Sequence, residues 1–194
     1  MARSAKITRR TAETSVELSL ELDGSGTVEI NSGIGFFDHM LTQLALHGMM
    51  DLKLKAAGDL EVDEHHTVED VGICLGQALA EALGDRSGIA RYGQALVPMD
   101  EALVEVALDL SRRPILVTTG SLPGQAGGFS GQLAVEFMRA LANHGGITLH
   151  VAFRYGTNDH HILEAAFKAL GQALYRATRP MPGREGVGSS KGVL

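Results

Sequence analysis

His65, His66 and Glu69 spell His-His-x-x-Glu, and the same residue types return at His160, His161 and Glu164, 95 positions later. Imidazole nitrogens and carboxylate oxygens at this spacing are ligands for a divalent transition metal. On an α-helix successive side chains diverge by about 100°, so two adjacent histidines cannot easily chelate one ion together. His65 and Glu69, at i and i+4, share a face, as do His160 and Glu164. Each motif therefore offers a His/Glu pair to one ion and a spare imidazole, His66 or His161, to another. The economical arrangement is reciprocal, each half lending an imidazole to the other's site. His39, on a preceding helix, is the natural addition to the first site, and Glu136, its positional counterpart, to the second. Imidazole with carboxylate and no thiolate suits Mn²⁺, Fe²⁺ or Zn²⁺ and argues against copper–thiolate or iron–sulfur chemistry. Three imidazoles and a carboxylate leave two positions of a six-coordinate ion open, and open positions mean substrate.

The elements that must carry these ligands repeat as well. Leu75-Gly76-Gln77-Ala78-Leu79 returns as Leu170-Gly171-Gln172-Ala173-Leu174, and His47-Gly48 as His144-Gly145. Alternating patterns predict strands from Lys6 to Thr11, Ser15 to Leu22, Thr27 to Asn31 and Asp51 to Lys55. Helices are expected from Phe36 to Leu46, ending near Gly48, and from the first motif to Leu83. The second half echoes the order. Strands are predicted at Tyr92–Val97, Leu103–Leu110, Pro114–Thr118 and Ile147–Phe153, with helices at Gly131–Ala142 and His160–Thr178. A glycine-rich loop covers Gly120 to Gly128. The expected fold is α+β, with two pseudo-symmetric fused halves, each a mixed β-sheet with paired helices, the helices packed between the two sheets. Residues 1–90 form the first half, 91–178 the second, and 179–194 a tail whose composition alone favours disorder. His47, His144 and His150 read as packing or supporting groups.

Composition sets the outer bounds. The 194 residues are ordinary for a soluble globular chain, 44% hydrophobic and 21% charged. A net charge of −6 gives no reason to expect nucleic-acid binding. The basic start (Arg3, Lys6, Arg9, Arg10) reads as a solvated edge. The lone Cys74 excludes an internal disulfide and reads as a buried, inert thiol suited to a reducing cytosol. No apolar run has the length of a membrane span or the form of a signal peptide, so a cytoplasmic location is expected.

The motifs together closely resemble the imidazoleglycerol-phosphate dehydratase family of histidine biosynthesis. They include Arg10-Thr-Ala-Glu13, Gly35-Phe-Phe-Asp-His-Met-Leu41, Gly58-Asp59 and Asp63-Glu-His-His-Thr-Val-Glu-Asp70. Pro98-Met-Asp-Glu101, Asp109-Leu-Ser-x-Arg-Pro114, Asn158-Asp-His-His-x-x-Glu164 and Ser189-Ser-Lys-Gly-Val-Leu194 complete the set. The resemblance implies a 24-subunit shell built from trimers, with two manganese ions per active site between subunits. Carried over, one ion takes His39, His65, Glu69 and His161. The other takes His66, His160 and Glu164, with Glu136 where the family normally has histidine. His144, about two helical turns away, is the alternative donor. The resemblance also makes Arg91, Arg113, Ser189, Ser190 and Lys191 a phosphate grip, and orders the tail around it. Guanidinium and ammonium groups suit a phosphate dianion.

The implied reaction removes water from imidazole glycerol phosphate to give imidazole acetol phosphate. Its obstacle is a carbon-bound proton beside a hydroxyl with no carbonyl to acidify it. A metal-bound imidazolate can expel the hydroxyl and leave a diazafulvene, whose neighbouring proton is acidic; its loss gives an enol that tautomerises to the ketone. Glu13 is the first candidate for the proton-transfer group and Gln43 a candidate hydrogen bond to substrate. The competing readings are a dinuclear metallohydrolase acting on a phosphorylated small molecule, and a storage or structural shell whose ions staple subunits.

Overall fold

The computed structural model describes residues 3–192, so Val193 and Leu194 of the ending motif lie outside it. The first half runs β1 (Ser4–Arg10), β2 (Thr14–Glu21), β3 (Val28–Asn31), α1 (Gly35–Gly48), β4 (Asp51–Gly58), α2 (His65–Leu83). The second runs β5 (Tyr92–Met99), β6 (Ala102–Asp109), β7 (Ile115–Thr119), the short hairpin β8 (Gln125–Ala126) and β9 (Phe129–Ser130), α3 (Gly131–Gly145), β10 (Thr148–Tyr155) and α4 (Asp159–Thr178). Each half builds a four-stranded mixed sheet of the same topology, β1-β2-β4-β3 and β5-β6-β10-β7, with the last pair parallel. The glycine-rich loop expected at Gly120–Gly128 contains the first strand of the small hairpin.

Alternation explains which face of each sheet is wet. Val16, Leu18 and Leu20 on β2, and Val104, Val106 and Leu108 on β6, point into one continuous core, and the residues between them point outward. Helix α2 packs under β1 and β2, and α4 under β5 and β6, so the helices lie between the sheets. Phe37, Phe129, Phe137 and Phe167 form a chain of ring contacts through this layer, with centroids 5.4–5.6 Å apart. Cys74 is buried on α2, where burial pushes its thiol up to about 11. Among the described residues no helix is long and apolar enough to cross a membrane.

Helix pairing crosses between the halves: α1 packs on α4, and α2 on α3. The repeated glycines are the reason. A Cβ on Gly171 of α4 would stand 2.4 Å from the Leu44 carbonyl oxygen and 3.0 Å from the Gly48 nitrogen on α1. Its repeat partner Gly76 on α2 would meet Leu141 O and Gly145 N on α3, both at 2.8 Å. Backbone is in contact with backbone at both crossings, and only glycine fits.

Gly171→Ala is therefore expected to force α1 and α4 apart and destabilise the chain by about 1–3 kcal/mol, read as a lower urea midpoint. Gly35→Ala, with nothing within 4 Å of the added carbon, is expected to change stability by less than about 1 kcal/mol.

Candidate active site

Both motif helices start from a side-chain oxygen that accepts a hydrogen bond from the amide of the first histidine. Asp63 Oδ1 takes the His65 N–H at 2.8 Å, and Asn158 Oδ1 takes the His160 N–H at 2.9 Å. These caps fix the helix start, and so the direction in which each His-His pair projects.

The α1–α4 crossing brings His39, His160 and Glu164 together. Glu164 Oε2 lies 3.1 Å from His39 Nε2 and 3.0 Å from His160 Nε2. Among the described residues this is the one group of three such donors within 4.8 Å of one another. The grouping differs from that expected from order along the chain, which placed His39 with His65 and Glu69. His39 rides α1, and α1 packs on α4 rather than α2, so its imidazole meets the second motif. Glu136, on α3, correspondingly faces the first motif: it lines an open hollow of about 420 Å³ with Asp63, Glu64 and His65. Glu136 is ion-paired with Arg139 one turn on, and Glu69 is exposed.

Glu164 is buried, its side chain 8% exposed, and burial alone would raise its pKa. Hydrogen bonds from Lys168 (Nζ to Oε1, 2.7 Å), His39 and His160 outweigh that and hold the carboxyl at about 2. Lys168 escaped the sequence reading, although its i+4 spacing from Glu164 would have exposed it. His47 lies near the same pair: burial, then the Lys168 charge, pushes its imidazole down. Gln43 follows His39 by one turn of α1 and is half-buried.

The spare imidazoles each meet a carboxylate. His66 Nδ1 is 3.0 Å from Asp59 Oδ2 and 3.8 Å from Glu13 Oε2, and the Asp59 bond raises the His66 pKa. His161 Nδ1 is 2.7 Å from Glu101 Oε2, which raises His161. Glu101 itself is held at about 2, first by His161 and then by the backbone N–H groups of Thr157 and Asn158, 3.0 and 2.8 Å from its other oxygen.

The proposed phosphate-binding groups gather on the second half. Arg91 is buried and forms a fork with Asp109 (2.7 and 2.9 Å), and Arg113 reaches the same carboxylate at 3.3 Å. The described part of the tail packs back against the loop between α2 and β5. Met181 donates to Gly88 O, Gly88 to Gly186 O, and the Arg184 guanidinium to the carbonyls of Ile89 and Ala90. Arg91 donates to the Gly188 carbonyl, so the chain passes the Arg91 guanidinium immediately before Ser189, Ser190 and Lys191.

Comparison with known proteins covers this whole architecture. The family model described as imidazoleglycerol-phosphate dehydratase matches residues 32–174. The imidazoleglycerol-phosphate dehydratase of Moorella thermoacetica is 57% identical over 100% of both chains, and that of Syntrophobacter fumaroxidans 56% identical over 99% of this chain and 98% of its own. Among solved structures, the Staphylococcus aureus enzyme superposes with a TM-score of 0.83 at 36% identity, covering 92% of this chain and 99% of that one. The Pyrococcus furiosus IGPD, crystallised in complex with (S)-C348, gives 0.85 at 39% identity, covering 97% and 100%.

The depressed Glu164 carboxyl makes a pH prediction. A lowered folded pKa contributes stability that is present above the ordinary value of 4.5 and is lost as pH falls toward about 2. In metal-free protein, Glu164→Gln is expected to lower the thermal midpoint at pH 6, with the difference from wild type closing between pH 4.5 and 2. A difference that stays constant across that range would contradict it.

Proposed function

Since the chain belongs to the imidazoleglycerol-phosphate dehydratase family, hydro-lyases of histidine biosynthesis, we propose that it converts imidazole glycerol phosphate to imidazole acetol phosphate and water with two Mn²⁺ ions per active site. The observation that carries the metal reading is the convergence of His39, His160 and Glu164 at the α1–α4 crossing. Two imidazole nitrogens and a carboxylate oxygen fit a hard or borderline divalent cation. His65, His66, Glu69, Glu136 and His161 are the remaining ligands proposed. Within one chain they do not form a second three-donor group among the described residues, which supports sites completed between subunits of a 24-subunit shell built from trimers. A cytoplasmic location accompanies this reading.

When bound, the ions supply Lewis acidity that favours the imidazolate form of the substrate ring. The protein's own groups do the rest. Arg91, Arg113, Lys191, Ser189 and Ser190 grip the phosphate, and Asp109 pre-positions the two guanidiniums so that less freedom is lost on binding. Gln43 hydrogen-bonds substrate from the same helix as His39. As the hydroxyl leaves, the substrate becomes a diazafulvene. Glu13 then takes the proton from the adjacent carbon, which with the departed hydroxide makes up the water released; its carboxylate stands in the turn between β1 and β2, 55% exposed and open to a ligand. The enol so formed tautomerises to the ketone.

Metal-free protein reconstituted with Mn²⁺ is expected to form the acetol product with about two ions bound per chain. Two ions without turnover would overturn the dehydratase chemistry, and fewer than two would overturn the pair of sites. Glu13→Gln is expected to abolish turnover, by about 10²-fold or more, with metal content unchanged; retained turnover would remove Glu13 from the role.

A further inference from the structure

The two halves solve one problem with different residues. β1 pairs with β2 so that Ser4 faces Glu21, and β5 with β6 so that Tyr92 faces Asp109, each residue 88 positions on. By that register Glu101 is the counterpart of Glu13, each in the turn of its half's first hairpin. Similarly Asp51 faces Glu21 across β2 and β4, and Thr148 faces Asp109 across β6 and β10, 97 positions on. β10 carries one extra residue between Phe153 and Tyr155, so beyond it the offset is 98: Gly156 matches Gly58, each pressed against its motif helix (at Ile162 and Thr67), and Thr157 stands where the first half has Asp59. Where the half offers only a threonine and no carboxylate, the hairpin glutamate takes the His161 Nδ1 at 2.7 Å. Where it offers Asp59, that residue takes the His66 Nδ1 at 3.0 Å, and the hairpin glutamate is left 3.8 Å away.

We propose that Asp59 and Glu101 are positioning residues that hold His66 and His161 through Nδ1 and present each Nε2 to an ion, and that Asp59 thereby leaves Glu13 free for the substrate. A carboxylate on one ring nitrogen fixes the tautomer with its proton there, so the other nitrogen keeps its lone pair for a metal. The remaining surroundings agree. His161 Nε2 has only long contacts, to Asn158 at 3.5 Å and Asp100 at 3.7 Å. Among the described residues no hydrogen bond engages His66 Nε2. Asp59 is also built in more firmly than its neighbour, its side chain 19% exposed against 55% for Glu13. Gly58 before it admits no side chain, because a Cβ there would fall 2.1 Å from Thr67 Oγ1 on α2. That contact seats the end of β4, and with it Asp59, against the start of the motif helix.

This assignment rests on the metal reading, and one titration separates the two. Mn²⁺ is added to metal-free protein and binding is followed by loss of the free-ion EPR signal. Wild type, Glu13→Gln, Asp59→Ala, Glu101→Ala and Glu101→Gln are compared. Asp59→Ala and Glu101→Ala are each expected to weaken Mn²⁺ uptake about 10–100-fold, while Glu13→Gln binds as wild type does. Glu101→Gln keeps one acceptor oxygen and puts an NH2 in place of the other, so it can serve either the His161 ring N–H or the Thr157 and Asn158 amides but not both, and should recover only part of the loss. ¹⁵N spectra of histidine-labelled metal-free protein at alkaline pH should show one Nδ1–H ring fewer in each alanine variant, which a merely structural role would not produce. Alanine variants that bind Mn²⁺ like wild type with unchanged tautomers would overturn the assignment and leave the metal reading standing. A wild type that takes up no Mn²⁺ would overturn both.

Discussion

Backbone-to-backbone contact at two helix crossings governs this molecule. Gly48 of α1 lies against Gly171 of α4, and Gly145 of α3 against Gly76 of α2, at separations that leave no room for a single methyl group. Dispersion attraction falls steeply with distance, so such close crossings gain packing that any larger residue would forfeit. Each sheet then closes over one motif helix, and the apolar faces of both sheets merge into one core. His39 meets His160 and Glu164 because the crossing fixes where along α4 the first turn of α1 must lie.

The paired crossings do not produce equal sites. Glu164 is buried and holds its charge through Lys168 and two imidazoles, whereas Glu69 at the matching position is exposed. Glu136 stands where the pseudo-symmetry places His39, and Arg139 neutralises it. A carboxylate paired with a guanidinium replaces a single neutral imidazole, so the two clusters differ chemically even though their backbones match.

Much of this was legible in the residues. Period-two alternation and turn residues located all eight strands of the two sheets within a few positions, and the duplicated motifs announced two similar halves. The meeting of His39 with His160 and Glu164 was not legible, because sequence order makes α1 the neighbour of α2 while packing makes it the neighbour of α4. The information was present in the repeated Leu-Gly-Gln-Ala-Leu segment, but a glycine declares a close approach without naming the partner. Glu101 was similarly hidden: the offset relating it to Glu13 is 88, whereas the motif helices repeat at 95, since the connections between the aligned elements differ in length. The tail is a different case. Its proline and glycine content describes what residues 179–192 would do alone, and the carbonyls and amides of Gly88–Ala90 supply what it lacks.

Helix exchange between the halves has a further consequence. Taken alone, the first half would present the faces of α1 and α2 that meet α4 and α3, including both glycine notches, with no helices of its own to fill them. Two such halves could cover one another only by making the same pair of crossings twice, which is the geometry of a two-fold, self-complementary dimer. The full chain is that dimer joined end to end, so that the second partner is always at high effective concentration. Covalent joining also releases the halves from identity. Once the partners no longer have to be copies, one can carry Asp59 where the other carries Thr157, and one glutamate can hold an imidazole while its twin is set free.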